Sequence, residues 1–392
     1  MSEVFICEAL RTPIGSFLGE LSAFSAPALA SEVIKAILEK SSIPKEKIDE
    51  VILGNVLGTG IGQAPARQAA LFAGLPTSVE CMTINKVCGS GLKSVMLAHQ
   101  AIKSGDAGVV IAGGMESMSN APFIVHGIRN GVKFGNQTLF DSMISDGLTD
   151  PYNKIHMGSC AEKVAKEKNI TRQIQDDYAV ESYKRAIAAQ EKNLFEAEIV
   201  PIEIKDKSGS KFVKVDEEPK KVKFEKIPQL KSVFEKDGTI TAANASKLND
   251  GASALLIASH EKCKELSLKP KVKIISQASA AIEPINFSLA PINSIKKALS
   301  KANLTITDID LFEINEAFAL VTIAAMNELK IDSSKVNVNG GAIALGHPIG
   351  ASGARILTTL IHEMKKRNSK YGLASLCIGG GEASTLIIEN IQ

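Results

Sequence analysis

The sequence predicts an α/β fold made of two similar α/β halves, with a further segment inserted into the first half. Three observations predict it: short apolar runs that end near glycine and precede helical patterns, an internal repeat, and a central region of different composition. The chain has 392 residues, of which 45% are hydrophobic and 22% charged. This composition is typical of globular proteins, and the length is typical of two or three domains.

The strand-like runs are rich in valine and isoleucine. Residues 51–55 and 109–114 are the clearest examples, and each has glycine at or near its end. Runs of this kind that alternate with amphipathic helices are typical of sheets covered by helices, so we expect mostly parallel strands.

Three segments of the first half recur in the same order in the second half, offset by roughly 260 residues. The pairs are 48–55 with 309–315, 88–93 with 350–355, and 110–114 with 376–380. Helical patterns at 28–40 and 293–301 precede the first pair. One match would mean little, but three in register predict a duplicated α/β domain.

The region between the halves mixes glycine turns with charged stretches. We predict residues 1–118 plus 248–271 as the first half, 119–247 as an inserted loop domain, and 272–392 as the second half. A structureless insertion of this length is implausible, so it should contain helices, and residues 173–191 fit one.

Charge and cysteine content argue against several functions. The net charge of +2 favours neither a nucleic acid nor a membrane surface as partner, and no run approaches the ~20 apolar residues of a membrane span. No secretory leader is recognisable, and no cysteine pair has the spacing of zinc or redox motifs. We therefore expect free thiols, no metal site and a cytoplasmic location. The cysteines are Cys7, Cys81, Cys88, Cys160, Cys263 and Cys377.

Cys88 lies where a predicted strand turns into a helix that continues to Gly105. The N–H groups of a helix N-terminus favour a thiolate, and the glycines beside Cys88 let a substrate approach the backbone. Cys88 is therefore a candidate nucleophile, although a buried structural cysteine would fit the same pattern.

His347 and Cys377 lie in two glycine-rich loops of the second half. His347 precedes a helix predicted to run to about Lys366, and a neutral imidazole there can take the proton of a thiol. Cys377 ends a strand and enters a triple-glycine turn, at the sheet edge where ligands of α/β proteins bind. The repeat brings both residues to strand ends similar to that of Cys88. The alternatives are a hydrogen-bonded turn histidine and a packing cysteine.

Asn315 follows a predicted strand, where its amide can hold a water or polarise a carbonyl oxygen. A helix N-cap is an equally common role for asparagine. Two thiols and an imidazole without a metal motif suit acyl transfer through a thioester. One sulphur would carry the acyl group, and the other would move a proton at the carbon next to a carbonyl.

The segments around these four residues resemble the signature blocks of the thiolase family, and the match runs from residues 11–15 to the glycines after Cys377. The resemblance implies a five-layered α-β-α-β-α fold with an inserted loop domain. It also implies reversible Claisen condensation of two acetyl-CoA molecules to acetoacetyl-CoA and CoA through an acyl-cysteine. Residues 156–162, 241–246 and 283–287 are most similar to the mitochondrial-type short-chain members.

The resemblance also implies a role for each site residue. Cys88 would become acetylated, His347 would activate it, and Cys377 would exchange a proton with the methyl group of the second acetyl-CoA. Asn315, through a water, and His347 would form one oxyanion site. The backbone N–H groups of Cys88 and Gly379 would form the other.

Further residues are implied to bind coenzyme A or the acyl group. They are His156 and Met157 beside the pantetheine arm, Ala245 and Ser246 in a serine loop, Phe234 and Phe287 around the acyl group, and Lys220 and Lys221 near the phosphates. An ordinary solvated face is the alternative for the two lysines. Residues 127–133 resemble the loop through which short-chain members assemble, which implies a homotetramer, a dimer of dimers.

Two positions depart from the family pattern. The mitochondrial-type members bind potassium near a tyrosine, and this sequence has Pro219 there, which has no hydroxyl ligand. Besides CoA, which is a substrate, the only cofactor that the resemblance suggests is therefore a monovalent cation. Glu382 stands where glutamine or glycine is usual, and a carboxylate that pointed inward would raise the pKa of Cys377.

Other functions stay open at this point. A 3-ketoacyl-CoA thiolase of broader chain length would need more room than Phe234, Met157 and Phe287 predict. A decarboxylating condensing enzyme would lack a second cysteine such as Cys377. A non-catalytic acyl-CoA-binding protein should have lost a reactive residue, whereas Cys88, His347 and Cys377 are all present. A nucleic-acid partner would need a basic surplus.

Overall fold

The computed structural model describes residues 3–206 and 209–391. In these ranges the strands are β1 (Val4–Arg11), β2 (Gly15–Ser16), β3 (Glu50–Gly54), β4 (Glu80–Ile84), β5 (Val109–Ser117), β6 (Phe123–Ile124), β7 (Phe140–Asp141), β8 (Thr149–Asp150), β9 (Ile155–His156), β10 (Ile202–Asp206), β11 (Gly209–Val213), β12 (Asn249–Ser259), β13 (Val272–Ala281), β14 (Leu311–Ile314), β15 (Tyr371–Ile378) and β16 (Glu382–Asn390).

The helices include those that the sequence patterns predict. They are α1 (Ala26–Ser41), α2 (Pro65–Phe72), α3 (Ser90–Ser104), α4 (Met157–Glu167), α5 (Arg172–Glu191), α6 (His260–Glu265), α7 (Ala290–Ala302), α8 (Ala319–Leu329), α9 (Ala342–Leu345) and α10 (Ile349–Arg367). Gly105 ends α3 with a φ of 90°, as expected of a glycine C-cap. The predicted helices after Cys88, after His347 and within the insertion are confirmed.

One large sheet has the order β14-β15-β16-β13-β1-β12-β5-β3-β4, and β2 pairs with β12. The two halves meet where β1 pairs with β13. The three repeats coincide with equivalent elements, since β3 matches β14, α3 matches α10 and β5 matches β15. The predicted duplication is thus confirmed.

The expectation of mostly parallel strands is wrong. Only β3, β4 and β5, and the pair β14 and β15, run parallel among the described strands of this sheet. The pairs β1 with β12, β12 with β5, β13 with β16 and β15 with β16 are antiparallel. Glycine-ended runs predict strands, but they carry no information about the direction of the neighbouring strand.

Successive side chains along a strand point to opposite faces of the sheet, and this alternation divides the core into layers. In β1, Phe5 and Cys7 pack with α1 and α2, whereas Val4 and Ile6 face a central cluster with α3 and α10. Strands β15 and β16 face the same central cluster on one side and α7 on the other. The layers follow one another in this order: outer helices, the first half of the sheet, α3 with α10, the second half of the sheet, and outer helices. This is the five-layered α-β-α-β-α fold that the resemblance implies.

The inserted region has structure of its own. Helices α4 and α5 form an apolar cluster with α8 and α9, and β10 with β11 forms a hairpin whose tip, residues 207–208, lies outside the described residues. The boundaries predicted for the three parts of the chain stay a prediction. No helix within the described ranges is both long and apolar enough to traverse a bilayer.

Candidate active site

Cys88 is presented by a strained turn between β4 and α3. The preceding residue, Val87, has a φ of 46°, a left-handed conformation that is unfavourable for a β-branched side chain. Ser90 holds this turn, because its Oγ accepts from the N–H of Lys86 at 2.8 Å and donates to the carbonyl of Val87 at 2.7 Å. Strain that a local hydrogen-bond pair sustains is typical of a functional position.

The turn around Cys88 packs closely against the glycine turn of the second half. A methyl group at position 89 would lie 2.3 Å from Cδ1 of Ile378, so Gly89 is required for this approach. Burial raises the pKa of Cys88 to about 11, while the backbone N–H groups of Gly379 and of Cys88 itself act in the opposite direction. Thiolate stabilisation by the helix N-terminus, as expected from the sequence, is therefore outweighed by desolvation.

His347 is buried, and its two ring nitrogens have different partners. Nδ1 lies 2.5 Å from Oγ of Ser352, whose hydroxyl donates to the carbonyl of Pro348. Nδ1 must therefore carry the proton and donate to Ser352, which leaves Nε2 with a free lone pair. Burial lowers the pKa of His347 to about 3, so the ring is neutral near pH 7. Neutral His347 with a free Nε2 is a suitable base.

Asn315 lies beside this free nitrogen. Its Nδ2 is 3.5 Å from Nε2 of His347, and its backbone N–H donates to the carbonyl of Ser375 on β15. Asn315 is 1% exposed, and its Oδ1 accepts no hydrogen bond from the described residues. A buried acceptor of this kind is typical of a site that holds a polar ligand, such as the water that the resemblance implies.

Cys377 ends β15 at the edge where Asn315 follows β14. Burial, and secondly the charge that Cys88 can carry, raise the pKa of Cys377 well above its ordinary value. Glu382 instead forms an ion pair with Lys86 at the surface, so its carboxylate does not point inward toward Cys377.

A mostly apolar cavity of about 460 Å³ opens beside His347, whereas Cys88, Asn315 and Cys377 are not among the described residues that line it. His347 and Ile349 form one wall, and Ile349 also packs with Met118, Met143 and Cys88. His156, Phe234, Ala245 and Ser246 are among the predicted residues that line it. The cavity therefore brings together residues of both halves and of the inserted region.

Aromatic rings close one side of the cavity. Phe234 stacks on His156 with ring centroids 4.7 Å apart, and Phe318 meets Phe234 and Phe287 edge to face at 6.1 and 6.2 Å. Phe287 lies behind Phe318, so it supports the wall without lining it. Met157 begins α4 next to Gly379. These bulky side chains restrict the space beside the reactive groups.

A tight loop carries Ala245 and Ser246. Oδ1 of Asn244 accepts from the N–H of Thr241 at 2.8 Å, and Nδ2 of Asn244 donates to Asp176 of α5 at 2.8 Å. The N–H of Ser246 donates to the carbonyl of Ala317 at 3.0 Å. These bonds fix the loop between the insertion and the second half.

The structure does not bring the two predicted phosphate-binding lysines to the cavity. Lys220 and Lys221 are exposed in a 3₁₀ turn, and neither is among the described residues that line the cavity. Lys221 contacts Ser16 and lies 3.5 and 3.6 Å from carboxylate oxygens of Glu217 and Glu218. Their role at the phosphates stays a prediction.

Sequence reasoning missed several residues of the site. These are Met118, Met143 and Phe318 in the wall, Lys247 at its rim, and Ser352 behind the histidine. Ser352 follows His347 by five residues in the same glycine-rich block, and this spacing across a helix start was the available signal. The wall residues come from separate elements and have no common sequence pattern.

Comparisons with known proteins agree with this geometry. The N-terminal domain model of the thiolases matches residues 4–261, and the C-terminal domain model matches residues 268–390. An acetyl-CoA acetyltransferase from Cupriavidus necator is 53% identical over 99% of this chain and 100% of its own length. The mitochondrial acetyl-CoA acetyltransferase of Bos taurus is 51% identical over 100% of this chain and 92% of its own.

A solved structure gives the same result for the fold. The Acat5 thiolase of Ascaris suum, determined in complex with coenzyme A, has a TM-score of 0.94 and 45% identity, with 99% of this chain and 100% of that chain covered. Sequence and structure thus agree over nearly the whole chain, and the chain belongs to the thiolase family.

Proposed function

We propose that this chain catalyses the reversible condensation of two acetyl-CoA molecules to acetoacetyl-CoA and CoA, as an acetyl-CoA C-acetyltransferase. The observation that carries the proposal is that Cys88 lies close enough to Cys377 to raise its pKa, and packs with Ile349, which lines the same cavity as the neutral base His347. The names of the full-length relatives support the same activity.

The first half-reaction acetylates Cys88. Nε2 of His347 takes the thiol proton as the sulphur attacks the carbonyl carbon of acetyl-CoA. The bond from that carbon to the CoA sulphur then breaks, and the proton passes from His347 to the departing CoA. Backbone N–H groups of Cys88 and Gly379 already point to this region and can stabilise the charge that develops there.

The second half-reaction forms the carbon–carbon bond. Cys377 first passes its thiol proton to Nε2 of His347 and, as a thiolate, takes a proton from the methyl group of the second acetyl-CoA. The resulting carbanion attacks the acetyl carbon on Cys88. The bond from that carbon to Cys88 breaks, and the released sulphur takes the proton that His347 carries. Asn315 and the protonated His347 lie together, where they can hold the enolate oxygen.

The cavity favours short acyl groups. Phe234 and Phe318 restrict it near the histidine, and Met118 and Met143 restrict it near Cys88. A 3-ketoacyl-CoA thiolase of broader chain length would need one of these side chains to move aside.

The test is thiolysis of three substrates: acetoacetyl-CoA, 2-methylacetoacetyl-CoA and a long-chain 3-ketoacyl-CoA, with Cys88→Ala as the control. We expect rapid cleavage of acetoacetyl-CoA that the variant lacks. Preferred cleavage of the long substrate would favour the broader enzyme. Binding of CoA esters without any cleavage would favour a non-catalytic binding protein.

The proposed assembly is a homotetramer, a dimer of dimers, and the proposed location is the cytoplasm. In support of the assembly, residues 127–133, which resemble the tetramer-forming loop, expose Ile128 and Val132, and the next residue, Phe134, is fully exposed. Exposed apolar side chains so close together favour a protein partner.

A further inference from the structure

Lys247 is a cation at the rim of the cavity to which the mechanism gives no role. It follows Ser246 directly and lines the cavity with it. Its ammonium donates to the carbonyl of Ala242 and, at 3.2 Å, to that of Ala245. The same ammonium lies 5.7 Å from the ring centroid of Tyr183, within reach of a cation–π interaction.

These contacts explain how the loop keeps its shape. Two carbonyl groups of one tight loop point to the same place, where their dipoles would repel each other without a positive partner. The ammonium supplies that partner from within the chain. Burial lowers the pKa of Lys247 to about 8, opposed by the charge of Glu218, so the side chain is still mainly protonated near pH 7.

The surroundings of Lys247 are those in which the family resemblance implies a monovalent cation. Pro219 takes the place of the tyrosine ligand, is buried, and lies in a turn that packs on α5, the helix that carries Tyr183. The neighbouring Glu218 acts on both Lys247 and Tyr183. Pro219 and Lys247 therefore belong to one cluster.

The residues present do not fit a bound potassium ion. Potassium sites in proteins are built from carbonyl oxygens that replace the hydration shell. Here the carbonyls of Ala242 and Ala245 already accept from the ammonium, and position 219 offers no hydroxyl.

We propose that the Lys247 ammonium is a tethered substitute for a monovalent cation, which holds residues 241–246 in the shape that positions Ala245 and Ser246 in the substrate cavity. Lys247 is thus a positioning residue that acts through the loop. The consequence is an enzyme that does not respond to potassium. The effect on turnover depends on the proposed function, whereas the effects on ligand binding and thermal stability do not.

The first experiment uses the unaltered enzyme. Thiolysis of acetoacetyl-CoA is measured in potassium, sodium and tetramethylammonium chloride at equal ionic strength. We expect the same kcat and KM in all three salts. Activation by potassium would overturn the proposal without the need for any variant.

The second experiment removes the ammonium. In tetramethylammonium chloride, Lys247→Ala should raise KM by about tenfold with little change in kcat, since hydrogen bonds to a charged donor are lost outside the reacting groups. Potassium or methylammonium should restore KM and also raise the Tm and the CoA affinity of the variant, with no effect on the unaltered enzyme. Lys247→Arg, which keeps a cation, should be affected less than Lys247→Ala.

A matched control is available in Lys335, which also donates to a backbone carbonyl, that of Ile309 at 3.0 Å, away from the cavity. Lys335→Ala should change neither KM nor the response to potassium. The proposal would be overturned if Lys247→Ala had the same KM as the unaltered enzyme. It would also be overturned if no cation restored the KM, the Tm or the CoA affinity of the variant. Absence of thiolysis in the unaltered enzyme would overturn the proposed function instead, and the Tm and CoA-affinity measurements would still test Lys247.

Discussion

At Cys88 two effects of opposite sign act on one sulphur. Backbone N–H groups of Gly379 and Cys88 favour the thiolate, and burial disfavours it more strongly, so the pKa rises to about 11. The thiol is therefore protonated near pH 7, and its activation depends on a neutral base. His347 is neutral near pH 7 because burial lowers its pKa to about 3, so its ring can accept the proton, while the same burial makes it a weaker base.

The reactivity of Cys88 should follow this raised pKa. Only the thiolate reacts with iodoacetamide, and its fraction grows about tenfold per pH unit below the pKa. The rate of alkylation of the Cys88 peptide, followed by mass spectrometry, should therefore keep rising with pH toward about 11. A plateau near neutral pH would contradict the dominance of burial.

Ser352 should matter for the rate because it fixes the tautomer of His347. In Ser352→Ala the acceptor for Nδ1–H is gone, and the ring can turn or present the wrong nitrogen. We expect kcat for thiolysis to fall by roughly 10- to 100-fold, which is part of what a positioned base supplies. Ser294→Ala is the control, since that buried serine also donates to a proline carbonyl, at 3.1 Å, but lies in α7. Equal kcat in both variants would show that Ser352 does not position the base.

The candidate reactive residues could be selected from the sequence because each stands in a local pattern, and their roles stay a prediction. Cys88, His347 and Cys377 lie at a strand end or a helix start marked by glycines, and the repeat relates their positions. The orientation of Glu382 could not be predicted in this way, because it depends on Lys86, almost three hundred residues away along the chain. The contact of Lys247 with Tyr183 could not be predicted either, because the two residues belong to separate segments of the chain.

Among the elements, β5 and α10 are connected through Glu116. Its carboxylate accepts from Nδ2 of Asn55 at 2.8 Å, from the N–H groups of Val56 and Leu57 at 3.1 Å, and from the N–H of Gly350 at 2.9 Å. The last bond lies in the first turn of α10, where a negative charge is favourable. Glu116 therefore holds the helix after His347 against the first half.

Glu116→Gln should destabilise the protein although the side chain keeps its size. All four partners donate, so an amide group places its own N–H groups against other donors. We expect a loss of about 2–3 kcal/mol in the free energy of unfolding, measured by denaturant titration. Glu39→Gln, at an exposed position of α1, should change it by less than about 0.5 kcal/mol. A loss no larger in Glu116→Gln than in the control would contradict this role.

The strands and helices could be predicted from the sequence, but the direction of the strands could not. The apolar runs predicted the strands, and the helical spacing predicted α1, α3, α5, α7 and α10. Strands β12 and β16 are inserted between their neighbours as antiparallel members, and this depends on long-range pairing such as that of Ala254 with Gly113. Neither strand direction nor neighbour is encoded in a local run of residues.

At the scale of the whole molecule, the site is complete only because the two halves meet. The first half supplies Cys88, the second supplies His347, Cys377 and Asn315, and the inserted region supplies Phe234 and the loop before Lys247. The five-layered core explains this meeting, because α3 and α10 pack together between the two half-sheets. Each helix begins next to a candidate reactive residue, and Ile349 at the start of α10 packs with Cys88.

Phe134 should matter for assembly and not for folding of the single chain. Its side chain is fully exposed directly after residues 127–133, the segment that resembles the tetramer-forming loop. Phe134→Asp should therefore reduce the molar mass measured by light scattering from that of a tetramer to that of a dimer. Phe212→Asp, at an exposed phenylalanine of the hairpin, should leave the mass unchanged. A tetramer in both variants would exclude this segment as the contact.

The most direct test of the proposed chemistry is the site of acetylation. The protein is mixed with acetyl-CoA, quenched in acid and digested, and the peptides are weighed by mass spectrometry. We predict one added acetyl group on the peptide that contains Cys88, absent in Cys88→Ala and removed when CoA is added before the quench. Acetylation at Cys377 instead, or no acetylation in a protein that still cleaves acetoacetyl-CoA, would contradict the assignment of Cys88 as the acyl carrier.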